Sequence, residues 1–205
     1  GWLLRGHECG HSSVRLLRGK ESMDFIISKL AILPGIIIGL TVHEYAHARV
    51  AYAMGDPTAK NQGRVSLNPL AHLDVLGIIC LIAVGFGWGK PVPVNSRNLS
   101  GKNRKWKEVA ISSAGVIANF LLAMISAILM TVLVLKVQGF AYSFFHTMLY
   151  GCLSINVMLM IFNLLPLPPL DGFNIVAEIS GFDETQMYYK FLQYGSIILL
   201  LLVFT

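Results

Sequence analysis

Hydrophobic positions along the chain gather in long runs that short polar stretches separate. Two of these runs, residues 109–135 and 137–170, contain no Asp, Glu, Lys or Arg. Each exceeds the roughly 18 apolar residues that indicate a membrane span. The pattern predicts two membrane-spanning helices, near 109–135 and 143–165, and the prolines that follow the second cannot continue a regular helix.

Shorter apolar segments predict the remaining helices. Residues 23–54 have a helical pattern that stops at Gly55-Asp56-Pro57. Residues 75–89 are apolar but short, so a short span and a re-entrant segment both remain open. A final apolar segment covers 189–205. The predicted fold class is an all-α polytopic membrane protein, a bundle of about five transmembrane helices with short extended or re-entrant segments.

Two polar stretches between these helices are predicted to be loops that contain extended pieces. The stretch 58–74 has such a piece at Arg64 to Leu67, and 90–96 (KPVPVNS) alternates proline with valine. Basic residues crowd 90–108, and this positive-inside pattern places that loop in the cytoplasm. They are Lys90, Arg97, Lys102, Arg104, Lys105 and Lys107.

Composition excludes several classes of protein. Hydrophobic residues make up 55% of the chain, charged residues only 13%, and the mean hydropathy is +0.63. These values exclude a disordered chain, a coiled coil and a water-soluble globule. The net charge of +5 comes without aromatic interleaving, so no nucleic-acid partner is expected. Cys9, Cys80 and Cys152 cannot all pair, and no disulfide framework is implied.

Residues 1–22 differ in character from the rest. They are polar, rich in Arg and Gly, and followed by Met23, where the apolar sequence begins. They lack the long apolar region of a secretory signal. We expect two parts, a polar leader at 1–22 that is either a small extramembrane segment or a non-native extension, and an intramembrane domain at 23–205.

The first predicted helix carries an HExxH motif, His43-Glu44-Tyr45-Ala46-His47. Residues four apart face the same side of a helix, so both imidazoles could take adjacent corners of a zinc tetrahedron. Glu44 would then stand beside the metal without binding it, where a carboxylate can transfer a proton. The alternative is ordinary polar residues near an interface, but ionisable groups inside a span are costly and indicate function.

A second HExxH string, His7-Glu8-Cys9-Gly10-His11, lies in the polar leader. Spacing alone cannot choose between the two copies. Gly6 and Gly10 weaken any helix around the leader copy, and no apolar seam accompanies it. The metal site is therefore predicted at His43 and His47.

Zinc at a catalytic site usually has three protein ligands, so one more is required. Asp171 is the candidate, because it is next to last in the string NLLPLPPLDG at 163–172, where prolines break a span and Gly172 lets the backbone turn. Taken alone, Asp-Gly after Pro-Pro is typical of a turn. Beside an intramembrane HExxH, a metal ligand is the favoured interpretation.

These motifs together resemble the site-2 protease family of intramembrane zinc metalloproteases, in particular its short prokaryotic members without a PDZ domain. The resemblance runs from about Met23 to Gly181. It rests on HEYAH at 43–47, GRVSLNPLAHLD at 63–74, GKPVPVNSRNL at 89–99, AGVIAN at 114–119 and NLLPLPPLDG at 163–172.

The resemblance implies zinc bound by His43, His47 and Asp171, with Glu44 as general base and acid. It also implies that Asn119 is the family's intramembrane asparagine, a catalytic-site residue that steadies the substrate or the oxyanion. Val116 departs from the family pattern, which usually has proline at that position.

The predicted function is that of a multi-pass endopeptidase of the cell membrane that uses Zn²⁺ to cut a peptide bond in or near the transmembrane segment of another membrane protein. Its expected partners are this substrate and the lipid bilayer, and the oligomeric state stays open. A substrate segment could unwind and pair with 64–67 or 91–95. Two alternatives remain, a divalent metal ion transporter that uses the same His and Asp residues and a catalytically idle scaffold.

Overall fold

The structure is a computed structural model that describes residues 32–84, 87–99, 101, 103–136 and 138–204. Every regular element in these ranges is helical. The helices are α1 at 32–53, α2 at Thr58–Asn61, α3 at Val75–Val84, α4 at Arg104–Lys136, α5 at Gly139–Asn163, α6 at Asp171–Ser180 and α7 at Gln186–Phe204. Single 3-10 turns lie at Pro69–Ala71, Ser96–Asn98 and Phe182–Glu184.

Two long apolar helices form the centre of the fold. By length and composition, Arg104–Leu135 of α4 and Tyr142–Asn163 of α5 can each cross a membrane. The two helices pack along each other, and α4 also packs against α6. Large apolar side chains such as Ile128 and Ile161 point outward and are exposed, as expected of a surface that faces lipid. The two spans predicted from the longest apolar runs are confirmed as helices, and a bundle of about five spans stays a prediction.

Helix α1 packs closely against α5 through small residues. A Cβ added to Gly35 would lie 2.8 Å from the Cα of Cys152, and one added to Gly39 would lie 3.0 Å from the Asn156 amide oxygen. Both glycines precede the HExxH motif at spacings of four, so they share its side of the helix. This close approach brings the motif against the middle of the bundle.

The chain reverses after α5 and begins α6 at Asp171. Gly172 is required there, because a Cβ would overlap the carbonyl groups of Leu164 and Leu165. Helix α6 buries Phe173 and Ala177 and ends at Ser180, where Gly181 caps it in a left-handed conformation with φ of 75°. The sequence predicted the turn but not the helix. This short helix carries Asp171 in its first turn.

The polar loops contain no strand among the residues that the structure describes. The predicted extended piece at 64–67 bends instead, and a single antiparallel bridge joins Leu73 to Gly89. Lys90 continues the contact by donating its N–H to the His72 carbonyl at 2.7 Å. Pro91 and Pro93 have no N–H to extend a ladder, so the pairing stops there. The bridge nevertheless ties the loop after α2 to the segment 87–95.

Candidate metal site

His43 and His47 lie one turn apart on α1 and face the same way. Their Nε2 atoms are 3.1 Å apart, and the residues are only 6% and 8% exposed. Two imidazole nitrogens at this separation, shielded from bulk water, form half of a tetrahedral metal site.

Helix α6 brings the third predicted ligand to the same point. Oδ2 of Asp171 lies 3.4 Å from Nε2 of His43 and 3.2 Å from Nε2 of His47. Ligand atoms about 2.0 to 2.2 Å from a tetrahedral zinc are about 3.3 to 3.6 Å from each other, so the triangle has nearly the required size. The same Oδ2 is buried without a hydrogen-bond partner. Because an unpaired buried carboxylate oxygen is costly, this atom fits a metal ligand.

Residues of helix α4 hydrogen-bond to Nδ1 of both imidazoles. Nδ1 of His43 lies 2.6 Å from Oδ1 of Asn119, and Nδ1 of His47 lies 2.7 Å from the Ile111 carbonyl. Since both partners are acceptors, each Nδ1 carries the proton and each Nε2 presents a lone pair towards Asp171. The hydrogen bonds therefore select the tautomer that binds a metal.

Gly115 allows α4 to approach the rings this closely. A Cβ at this position would lie 2.5 Å from Cε1 and 2.6 Å from Nδ1 of His43, and it would also overlap Nε2 of His47. No other residue fits without displacing an imidazole. The motif AGVIAN contains this glycine, but its contact with the histidines depends on how α4 packs against α1.

Asn119 is fully buried and its amide is fully engaged. Oδ1 accepts from His43, while Nδ2 donates to Oδ1 of Asn156 at 2.7 Å and to the Gly39 carbonyl at 3.2 Å. Asn156 in turn donates to the Cys152 carbonyl at 2.8 Å. Both amide hydrogens of Asn119 are thus used, and no donor of this side chain remains for an oxyanion. The bond between Asn119 and Asn156 joins α4 to α5.

Glu44 points towards the segment 87–95. Its Oε2 accepts a hydrogen bond from the backbone N–H of Val92 at 3.0 Å, and a Cβ on Gly89 would lie 3.8 Å from its Oε1. Glu44 is therefore held by a backbone segment that is distant from it in sequence. No sequence motif indicated this partner.

A second group of carboxylates lies at the opposite end of α6. Oxygens of Glu108, Glu178 and Asp183 come within 4.8 Å of one another, and Arg104 donates to Glu108 at 2.7 Å. Burial, together with the neighbouring Glu108, raises the pKa of Glu178 to about 8. The protonated Glu178 can then share its hydrogen with Glu108, which fastens the end of α6 to the start of α4.

Comparison with known proteins gives two curated relatives and one family. The profile of peptidase family M50 matches residues 134–204, a range that includes Asp171. YwhC of Bacillus subtilis (strain 168) is 40% identical over 190 residues, which cover 88% of this chain and 85% of the relative. The chain belongs to peptidase family M50. Rip2 of Mycolicibacterium smegmatis is 27% identical over 188 residues, which cover 86% of this chain and 67% of that relative.

Both relatives carry names that describe a candidate zinc metalloprotease, and no solved structure gives a significant match. Family M50 is the site-2 protease family that the motifs indicated, so this prediction is confirmed. Membership makes the chain a hydrolase, a zinc metallopeptidase associated with the membrane. Neither comparison supports the transporter alternative. The second HExxH string, at 7–11, lies outside the described residues.

Proposed function

We propose that this M50 chain is a multi-pass endopeptidase of the cell membrane that cleaves a peptide bond in or near the transmembrane segment of its substrate. In this proposal His43, His47 and Asp171 hold the zinc. The observation that carries it is the triangle of their ligand atoms, with sides of 3.1, 3.2 and 3.4 Å. The triangle joins two helices far apart in sequence, and one of its corners is a buried carboxylate oxygen without a hydrogen-bond partner.

Each residue of the site has a role that follows from its position. When bound, zinc acts as a Lewis acid that polarises the scissile carbonyl and makes water a stronger acid. Glu44 accepts a proton from the attacking water and returns it to the leaving amine. Asn119 holds the His43 ring through Nδ1, and this hydrogen bond supports a positioning role rather than a direct contact with the oxyanion.

The membrane topology is part of the same proposal. Helices α4 and α5 have the length and apolar character of spans, and α7 exposes Ile197 and Leu201 in the same manner. A substrate helix hides its carbonyls in its own hydrogen bonds, so it must unwind before its backbone can reach the metal. The segment 91–95, whose Val92 N–H donates to Glu44, would receive the unwound chain.

A cleavage experiment in vesicles tests this function. The purified protein is reconstituted with a mixture of randomised single-span peptides, and mass spectrometry reads the products and the position of each cut. Wild type should carry one zinc per chain and cut within or beside the apolar segment. Glu44→Gln should keep the zinc and give no product, whereas Glu184→Gln, at an exposed carboxylate, should behave as wild type. Cleavage that persists in Glu44→Gln would refute the mechanism.

A further inference from the structure

Arg64 is buried in the loop that follows α2. The residue is only 4% exposed, and its Nη2 donates to the carbonyl of Lys90 and, at 3.2 Å, to the carbonyl of Pro91. Its Nε is buried without a partner. Burying a guanidinium is costly, so we expect an arginine at this position to do more than stabilise the loop. Its charge acts on Glu44, the proton carrier of the proposed mechanism.

The contacts of the peptide group between Pro91 and Val92 supply that reason. Its carbonyl accepts from Arg64, and its N–H donates to Glu44 at 3.0 Å. A peptide group is planar, so its oxygen and hydrogen cannot turn independently. A guanidinium that fixes the oxygen therefore also fixes the direction of the N–H. It further polarises the peptide group and strengthens the bond to the carboxylate.

The Lys90 carbonyl prevents the segment from rotating as a whole. Arg64 holds this second carbonyl through the same nitrogen, while Lys90 N–H donates to the His72 carbonyl. His72 is itself completely buried and its Nε2 bonds to the Ser66 carbonyl at 2.7 Å. Two adjacent peptide groups are thus anchored on the side away from Glu44.

We propose that Arg64 is a positioning residue for Glu44, which orients the catalytic carboxylate through the peptide plane between Pro91 and Val92. The proposal rests on the proposed role of Glu44. It assigns a task in proton transfer to a loop residue that lies outside the metal site and outside the HExxH motif.

Two substitutions test it. Arg64→Met keeps the aliphatic volume but removes every donor, and Arg64→Lys keeps one charged donor without the planar fork. Arg97→Met is the matched control, at an exposed arginine of the neighbouring polar stretch. The substrate is the single-span peptide that wild type cleaves fastest in the mixture described above. Each variant is compared for kcat, KM, zinc content and melting temperature.

The expected result distinguishes a misoriented Glu44 from a loss of the folded protein. Arg64→Met should retain one zinc per chain, with KM close to wild type, while kcat falls about 10- to 100-fold, a part of the roughly 10²- to 10⁴-fold that a positioned base contributes. Arg64→Lys should fall between Arg64→Met and wild type, and Arg97→Met should match wild type. If Arg64→Met keeps full kcat, or if both Arg64 variants lose kcat only in proportion to lost zinc, the proposal is overturned.

A double-mutant cycle and an NMR measurement on Val92 complete the test. If Arg64 acts through Glu44, Arg64→Met should lower kcat by a smaller factor in a Glu44→Asp background, which keeps a displaced carboxylate and part of the turnover, than in wild type, whereas independent effects would multiply. The amide proton of Val92, followed by NMR in valine-labelled protein, should move upfield in Arg64→Lys, Arg64→Met and Glu44→Gln alike. An unchanged Val92 resonance in the Arg64 variants would refute the link through this peptide. Full cleavage by Glu44→Gln would instead refute the proposed function.

Discussion

Replacing Gly115 by Ala places a methyl group inside the candidate metal site. The added carbon would lie 2.5 Å from Cε1 and 2.6 Å from Nδ1 of His43, whereas unbonded carbons rest about 3.5 Å or more apart. The ring, or α4 itself, must therefore move by about 1 Å. Metal bonds tolerate deviations of only about 0.2 Å, so the displaced imidazole cannot keep its place in the triangle.

Gly115→Ala should lower zinc affinity more than the loss of a group that only orients a zinc ligand. Removing a group that orients a ligand usually lowers metal affinity about 10- to 100-fold. Gly115→Ala displaces a ligand and strains the 2.6 Å bond between His43 and Asn119. We expect zinc affinity to fall at least about 100-fold, or about 3 kcal/mol. Competition with a chromophoric zinc chelator in detergent measures this value.

Gly35→Ala is the matched control, because it makes a similar clash elsewhere on α1. Its Cβ would lie 2.8 Å from the Cα of Cys152, against the backbone of α5. This variant should have a lower melting temperature but a zinc affinity near wild type at temperatures where it is folded. Wild-type zinc affinity in Gly115→Ala would refute the placement of α4 behind the rings. An equal loss of zinc in both variants would show that the effect is one of general packing.

Three other outcomes are expected. Glu44→Gln should bind zinc with wild-type stoichiometry and lose all peptidase turnover, and a variant that also loses the metal would show that Glu44 is a ligand. Asn156→Leu should lower zinc affinity by about 10-fold, since Asn156 holds Asn119 against His43, and unchanged affinity by chelator competition would contradict this chain of bonds. Because the pKa of Glu178 is raised from 4.5 to about 8, the folded state retains a proton that the unfolded chain releases, so stability should fall as pH rises between these values. Thermal melts should show this slope, Glu178→Gln should flatten it, and an unaltered slope would count against the shared proton.

The sequence predicted the parts of the site that are encoded locally. HExxH fixes the relation of His43 to His47, since four residues make about one helical turn. The long apolar runs predicted α4 and α5 because bilayer thickness sets the length of a span. Asp171 could be proposed because an acidic residue beside broken spans and an HExxH motif is conspicuous.

Other parts depend on packing between distant segments and could not be predicted in the same way. Gly115 matters only because α4 lies against α1, and Arg64 only because its loop lies against the segment 87–95. The role of Asn119 was inferred from resemblance, whereas its hydrogen bonds point to His43. Helix α6 was missed because it is short and follows a cluster of prolines.

An anomalous difference map at the zinc K-edge, from crystals of the purified protein, measures the central claim directly. The account predicts one strong peak within about 2.0 to 2.2 Å of Nε2 of His43, Nε2 of His47 and an Asp171 carboxylate oxygen. A peak at the Glu108, Glu178 and Asp183 carboxylates in its place, or a zinc bound without Asp171, would contradict it.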